Sequence, residues 1–200
     1  MNLFSRRLHA QDGYNLVELM VVVGIMGVLS AITVVQTGPA RTNAKGDAAM
    51  RIVLSQMNQA REMAIGQRRY IRVVFDTAKN QMSVVREDTT VATTTLSTIG
   101  FEGGVQFTLI AMVDTPDGYG STTSTSFTST NGTFPSATGS TSVAKFTPDG
   151  TLVDWNGRTT NGTVFLAVPT VSTSTRAVTV LGSTGRVRGY RWDGRAWKVV

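Results

Sequence analysis

The stretch Gly13–Val35, GYNLVELMVVVGIMGVLSAITVV, decides how the rest of the chain is read. From Leu19 to Val35 run 17 residues without a formal charge, rich in Val, Leu, Ile and Met. The segment Tyr14–Val35 has 22 residues, about 33 Å as a helix and enough to cross a bilayer core. A charge at the centre of such a span costs roughly 2.5–3.5 kcal/mol. Glu18 lies near one end, so it costs less there, but it still needs a partner. The preceding residues 1–13 carry Arg6 and Arg7 and end on Gly13.

A basic leader, a Gly, and an apolar helix with Glu five residues after that Gly resemble the class III signal of type IV pilins and pseudopilins. The resemblance implies cleavage between Gly13 and Tyr14 by a prepilin peptidase, then methylation of the new amino group on Tyr14. It also implies that Glu18 pairs with the N-terminal ammonium of a neighbouring subunit as helices pack in a filament, which gives the carboxylate its partner. Tyr14 stands where Phe is usual in that signal, and Asn15 where Ser or Thr is commoner. The plainer alternative is an uncleaved signal anchor with an incidental Glu. An ordinary secretory signal is cut after its apolar region, whereas here the site precedes it.

Composition narrows the chemistry. The 200 residues allow one domain beyond the membrane helix. There are no cysteines, so neither a disulfide framework nor a thiolate zinc site is expected. The single histidine, His9, falls in the leader. A mature chain without Cys or His has few routes to nucleophilic or general-base catalysis, so an enzyme is disfavoured, and no cofactor or metal site is expected. No P-loop, dinucleotide fingerprint or metalloprotease motif occurs. The net charge of +6 is uneven: residues 36–175 hold 11 Lys and Arg against 10 Asp and Glu, whereas residues 176–200 hold six against Asp193 alone. Such asymmetry speaks to partners rather than fold.

The chain is expected to divide into the leader 1–13, a transmembrane helix segment 14–38, an amphipathic helix 39–66 and a β-rich domain 67–200. Arg6 and Arg7 put the leader in the cytoplasm by the positive-inside rule, and hence the domain in the periplasm. Gly24 and Gly27 offer close helix approach, or are simply the glycines common in membrane helices. Gly38-Pro39 should kink or interrupt the helix. Beyond it, Met50, Val53, Leu54, Met57, Ala60 and Ala64 recur at steps of three and four and form one apolar stripe. Arg51, Gln59, Arg61 and Glu62 take the other faces, and Gly66 is a reasonable terminator.

Strand patterns follow: Arg69–Phe75, a turn at 77–80, Gln81–Arg86, Val105–Val113, Val143–Phe146, a Thr147–Gly150 turn, and Thr151–Trp155. Thr163–Val168, Arg176–Leu181 and Arg186–Trp192 come next, then the Asp193-Gly194 hairpin signal, with Arg195–Val200 closing the sheet. Residues 114–142 read as a long Ser/Thr-rich loop with a short strand near Phe127. The fold class is α+β: a long N-terminal helix, half transmembrane and half amphipathic, packed on an antiparallel β domain.

Three further pieces resemble the GspH/FimT family of minor pseudopilins and minor pilins: Gln59-Ala60-Arg61-Glu62-Met63-Ala64, Phe146-Thr147-Pro148-Asp149-Gly150-Thr151, and Gly185-Arg186-Val187-Arg188. Each is weak alone; their order and spacing carry the resemblance, which skips the Ser/Thr-rich loop. It implies a minor pseudopilin of a type II secretion machine, or a type IV minor pilin for pilus assembly or DNA uptake. Implied partners are a prepilin peptidase, other pilins or pseudopilins, and an inner-membrane assembly platform.

Some FimT-like pilins bind DNA through a C-terminal Gly-Arg-x-Arg region, which extends that role to Arg186 and Arg188; Arg191 and Arg195 join them by charge and spacing. Tyr190, Trp192 and Trp197 interleave with these cations, the combination that phosphate neutralisation and base stacking need. The same pattern describes a half-buried hairpin with a solvated basic face. Asp114, Asp117 and Gly118 faintly resemble a calcium loop, but too few acidic ligands follow. Asn131-Gly132-Thr133 and Asn161-Gly162-Thr163 match a glycosylation sequon and read more simply as turns.

Overall fold

The computed structural model describes residues 15–89, 92–110, 116–118, 125–126, 141–154 and 156–200, without the side chains of 34–37, 125, 126 and 141. A single helix, α1 (Leu16–Gln67), is followed by strands that sort into two sheets. The described chain divides into two units between Ala40 and Arg41.

In the first unit, Asn15 caps α1: its Oδ1 accepts the Val17 N–H at 3.3 Å, the role for which Asn is among the best residues. The apolar side chains that follow, from Leu16 to Ile32, are exposed throughout. Pro39 does not end the helix as expected; α1 runs through it. Pro39 removes one hydrogen bond, and one gap does not end a ladder of 52 residues. The helix also ends later than Gly66. Its left-handed terminal residue is Arg68, at φ 51, where the Arg69 N–H reaches back to the Ala64 carbonyl at 3.2 Å.

In the second unit the apolar stripe is the core. Met50, Val53, Met57, Ala60 and Ala64 have no exposed surface, and Leu54 packs against them. The first sheet runs β3 (Thr93–Gly100), β2 (Gln81–Glu87), β1 (Ile71–Asp76), β5 (Thr141–Phe146), β6 (Leu152–Val153). The second runs β10 (Trp197–Val199), β9 (Arg186–Trp192), β8 (Arg176–Leu181), β7 (Gly162–Leu166), β4 (Thr125–Ser126). All the strand pairings are antiparallel. Alternation along β1 turns Ile71, Val73 and Phe75 inward; along β7 and β8 it turns Val164, Leu166, Val178 and Val180 inward. One cluster joins these residues to the helix stripe, so both sheets bury against α1.

Two strand expectations change. Val105–Val113 does not form a strand over its described part. Gly103 and Gly104 turn the chain at φ 73 and 82, and the Asn80 side chain then holds it. Its Nδ2 donates to the Val105 carbonyl at 2.5 Å and its Oδ1 accepts the Phe107 N–H at 3.1 Å. A single side-chain amide stands where a strand would pair; Gln106 alone bridges to Ala167, while Val105 and Phe107 enter the core. Conversely, β3 (TTTLSTIG) shows no alternation in its sequence and yet pairs with β2 along its length, with Leu96 as the unpaired residue of a bulge. Its Thr and Ile residues suit extended backbone, and its place at the sheet edge, with most of its residues exposed, removes the need for an apolar face. The short strand near Phe127 is represented by β4; Phe127 itself, with most of 114–142, lies outside the described residues.

Among the described residues, α1 is tied to the second sheet by a buried charge. Arg176 has no exposed surface. Its Nε donates to Asp47, and its remaining nitrogens donate to the carbonyls of Thr173, Thr175 and Asn43 at 2.8, 2.9 and 3.2 Å. A buried guanidinium is tolerable only when paired and hydrogen-bonded in this way. Every buried described residue lies at or after Gly46, so the fragment 41–200 contains the whole core. Asp47→Ala should lower the stability of that fragment by about 2–4 kcal/mol, less than a fully buried pair because Asp47 is partly exposed. Urea denaturation would measure it.

Candidate functional site

The first candidate site is the start of α1. Gly13 and Tyr14, the expected cleavage and methylation positions, lie outside the described residues. Glu18 is exposed in the first helical turn. A carboxylate there is favoured by the helix dipole, and Asn15 with Glu18 has the spacing of a capping box. The Asn15 departure from the usual signal therefore keeps a capping residue.

The three weak family-like pieces meet at one place. The Arg61 Nε donates to the Gly150 carbonyl at 3.1 Å. Gly150, at φ 79, lies against Ile65, and a Cβ there would come 2.7 Å from Ile65 Cδ1. Gly185, at φ 63, is packed against both: a Cβ on it would sit 1.9 Å from the Gly150 carbonyl oxygen and 2.7 Å from Arg61 Nε. Within the hairpin between β5 and β6, Thr147 and Thr151 share a hydroxyl contact of 2.8 Å. The helix end, that hairpin and the turn before β9 thus form one junction, and its glycines are required by backbone conformation and contact. Arg61, read from the sequence as facing away from the stripe, is half-buried in it.

The basic tail does not present one surface. Arg176, counted in its charge, is the buried partner of Asp47. Along β9, Gly189 faces α1, since a Cβ there would meet Leu54 at 2.8 Å; Val187 packs on the main core. Alternation therefore puts Arg186, Arg188, Tyr190 and Trp192 on the outer face and Arg191 on the helix side. Arg186 and Arg191 are exposed and Arg188 is half-buried. Arg195 is in the β9–β10 turn, where Asp193 Oδ1 accepts the N–H groups of Arg195 and Ala196 at 2.8 Å each. Of the four candidates, only Arg186 and Arg188 share a strand face.

The aromatics of the tail are packed rather than splayed. Trp197 lies against Trp192 and Phe165, with ring centroids 5.4 and 6.0 Å apart. Phe165, Ala177 and Tyr190 form a second small core on the outer face. Asp117 closes it: its Oδ2 accepts the Tyr190 hydroxyl and, at 3.2 Å, the Thr179 hydroxyl. That carboxylate, one of the two faintly resembling calcium ligands, is engaged in packing; Asp114 lies outside the described residues. Asn161 Oδ1 accepts the Gly182 N–H at 2.8 Å, so this sequon asparagine works as a turn residue, while Asn131 lies outside the described residues. Nothing in the sequence marked Asp117 and Tyr190 as partners 73 residues apart.

Two solved structures are similar to this chain. One is the type IV minor pilin FimU of Pseudomonas aeruginosa, at 18% identity and a TM-score of 0.45, covering 76% of this chain and 91% of its own. The other is the minor pseudopilin EpsH from the type 2 secretion system of Vibrio cholerae, at 12% identity and a TM-score of 0.48, covering 76% and 99%. No family model and no curated protein matches the chain. The architecture itself, a long N-terminal helix packed on antiparallel sheets, is the fold expected from the sequence.

Two outcomes follow from these contacts. Gly185→Ala should destabilise the fragment 41–200 by roughly 2–4 kcal/mol, from a left-handed backbone and a backbone clash together. Gly194→Ala, at φ 98 in open space, should cost only about 1–2 kcal/mol; thermal unfolding of both variants checks the difference. Burial, and then the hydrogen bond to Asp117, raises the Tyr190 phenol above its usual value of 10. Its stabilising contribution is complete below pH of about 10 and is lost as pH rises through the raised value. In an ultraviolet titration Asp117→Asn should bring this ionisation down.

Proposed function

We propose that this chain is a minor pseudopilin, a structural subunit of a type II secretion machine. Residues 14–38 would anchor it in the inner membrane, with the leader in the cytoplasm and the β domain in the periplasm. One observation supports this most: α1 exposes its apolar side chains along Leu16–Ile32 and carries a carboxylate in its first turn, while its later stripe is the core of a β domain. A bare apolar helix needs lipid or other helices, and Glu18 among them needs a cation. A bundle of like subunits meets both needs, with the Tyr14 ammonium of a neighbour facing Glu18. The partners are then a prepilin peptidase, other pilin-like subunits and an inner-membrane assembly platform. The role is structural rather than enzymatic.

A type IV minor pilin, for pilus assembly or DNA uptake, is the second candidate. The shared outer face of Arg186 and Arg188 favours it, since two adjacent cations on one strand can follow a phosphate backbone.

Co-expression with a prepilin peptidase tests the common part. The mature chain should begin at Tyr14 and carry one methyl group by mass spectrometry, and Glu18→Leu should be processed normally but absent from sheared filaments. A chain that keeps its leader beside an active peptidase would overturn the proposal. Titration of the fragment 41–200 with duplex DNA across a salt series separates a DNA-uptake pilin from the secretion pseudopilin. A secretion pseudopilin should show no binding even at low salt. Salt-sensitive binding abolished by Arg186→Ala with Arg188→Ala selects the DNA-uptake pilin.

A further inference from the structure

The face of the first sheet turned away from α1 carries a cleft of about 1020 Å³. Ile71, Val73 and Phe75 are buried under the helix, so Arg72 points the other way, directly opposite Lys145 on β5. Four cations line the cleft, Arg68, Arg69, Arg72 and Lys145, against two carboxylates, Glu87 and Asp88.

Both carboxylates are already engaged. Glu87 is shared by Arg72 at 3.0 Å and Lys145 at 2.9 Å. Asp88 pairs with Arg86 at 2.6 Å and accepts the Thr94 hydroxyl, while Arg69 donates to the Asp88 backbone carbonyl. Positive charge is therefore left over at the walls. The Arg72, Glu87 and Lys145 side chains are only 21%, 16% and 19% exposed, so salt screens them less than surface charges. Although close to Glu87, the Arg72 Nε is buried without an acceptor in hydrogen-bonding geometry. At the rim, Arg68 is exposed on left-handed backbone and makes no ion pair among the described residues.

We infer that this cleft docks an extended acidic segment of a partner protein, whose carboxylates meet Arg68 and the Arg72–Lys145 pair. The cleft's size suits several residues of extended chain rather than a single small ion. Its own carboxylates favour a peptide over a nucleic acid. A nucleic-acid strand carries a charge on every phosphate and would set some of them against Glu87 and Asp88. A peptide can place neutral residues there and carboxylates at the cationic ends. This site is separate from the Arg186–Arg188 face and does not depend on the secretion reading.

The test uses the fragment 41–200, which contains its whole core, and the full chain in detergent. The probe is a fluorescent peptide of about ten residues alternating Glu and Ser, beside a Lys–Ser peptide and an oligothymidylate of equal length. The Glu–Ser peptide should shift the amide resonances of Arg69, Thr93, Asn156 and Gly157. Its binding should weaken about tenfold between about 20 and about 200 mM salt. Arg68→Ala, at an exposed position that leaves the core intact, should weaken it about threefold to tenfold. Arg186→Ala should leave it unchanged. Absence of shifts at low salt, unchanged affinity in Arg68→Ala, or tighter binding of the oligothymidylate at the same resonances would each overturn the inference.

Discussion

The constraint on which residues 41–200 depend is that one helical stripe must be covered from two sides. Met50, Val53, Met57, Ala60 and Ala64 have no exposed surface, which a single flat sheet against a helix would not achieve. Two five-stranded sheets supply the cover, and their inward residues join the stripe in one cluster. Apolar burial of this kind is non-directional. Direction comes from the polar ties: Arg176 with Asp47, Ser97 with Gln56 at 3.2 Å, and Arg61 with Gly150. Each holds a stretch of α1 to a different strand or turn, and together they fix the helix register against the sheets.

The first half of the same helix has the opposite economy. Its apolar side chains find no cover within the described chain, and its carboxylate sits at the end where the helix dipole tolerates it. One helix thus carries two surfaces, one satisfied by its own domain and one that needs an outside partner. The proposed filament subunit is an answer to that imbalance. Pro39, near the change from one surface to the other, lies within α1.

Charge counting located the basic tail, and the fold distributes its residues over several surroundings. Of its Arg residues, Arg176 is interior, Arg191 faces the helix side, and Arg195 is in a turn. The aromatic residues interleaved with them pack on Phe165 and on each other. A second excess of cations lies in the cleft of the first sheet, four against two carboxylates. Arg68, Arg69 and Arg72 lie close together in the sequence, and the pairing of β1 with β5 brings Lys145 opposite Arg72.

What could be read from the sequence was periodic or local. The membrane-length apolar run, the stripe at steps of three and four, the alternating strands and the Asp193-Gly194 turn each depend on residues within a few positions, where helix and strand geometry act directly. Glu18 was legible because a charge in an apolar run is costly wherever the helix lies. What required the tertiary structure was whatever depends on distant residues. The division into two sheets, the replacement of a strand by Asn80, the burial of Arg176 and the meeting of three motif fragments around Gly185 all follow from contacts that sequence spacing does not encode. A charged residue reads the same in one dimension whether it faces water or a carboxylate 129 positions away, and only packing decides between them.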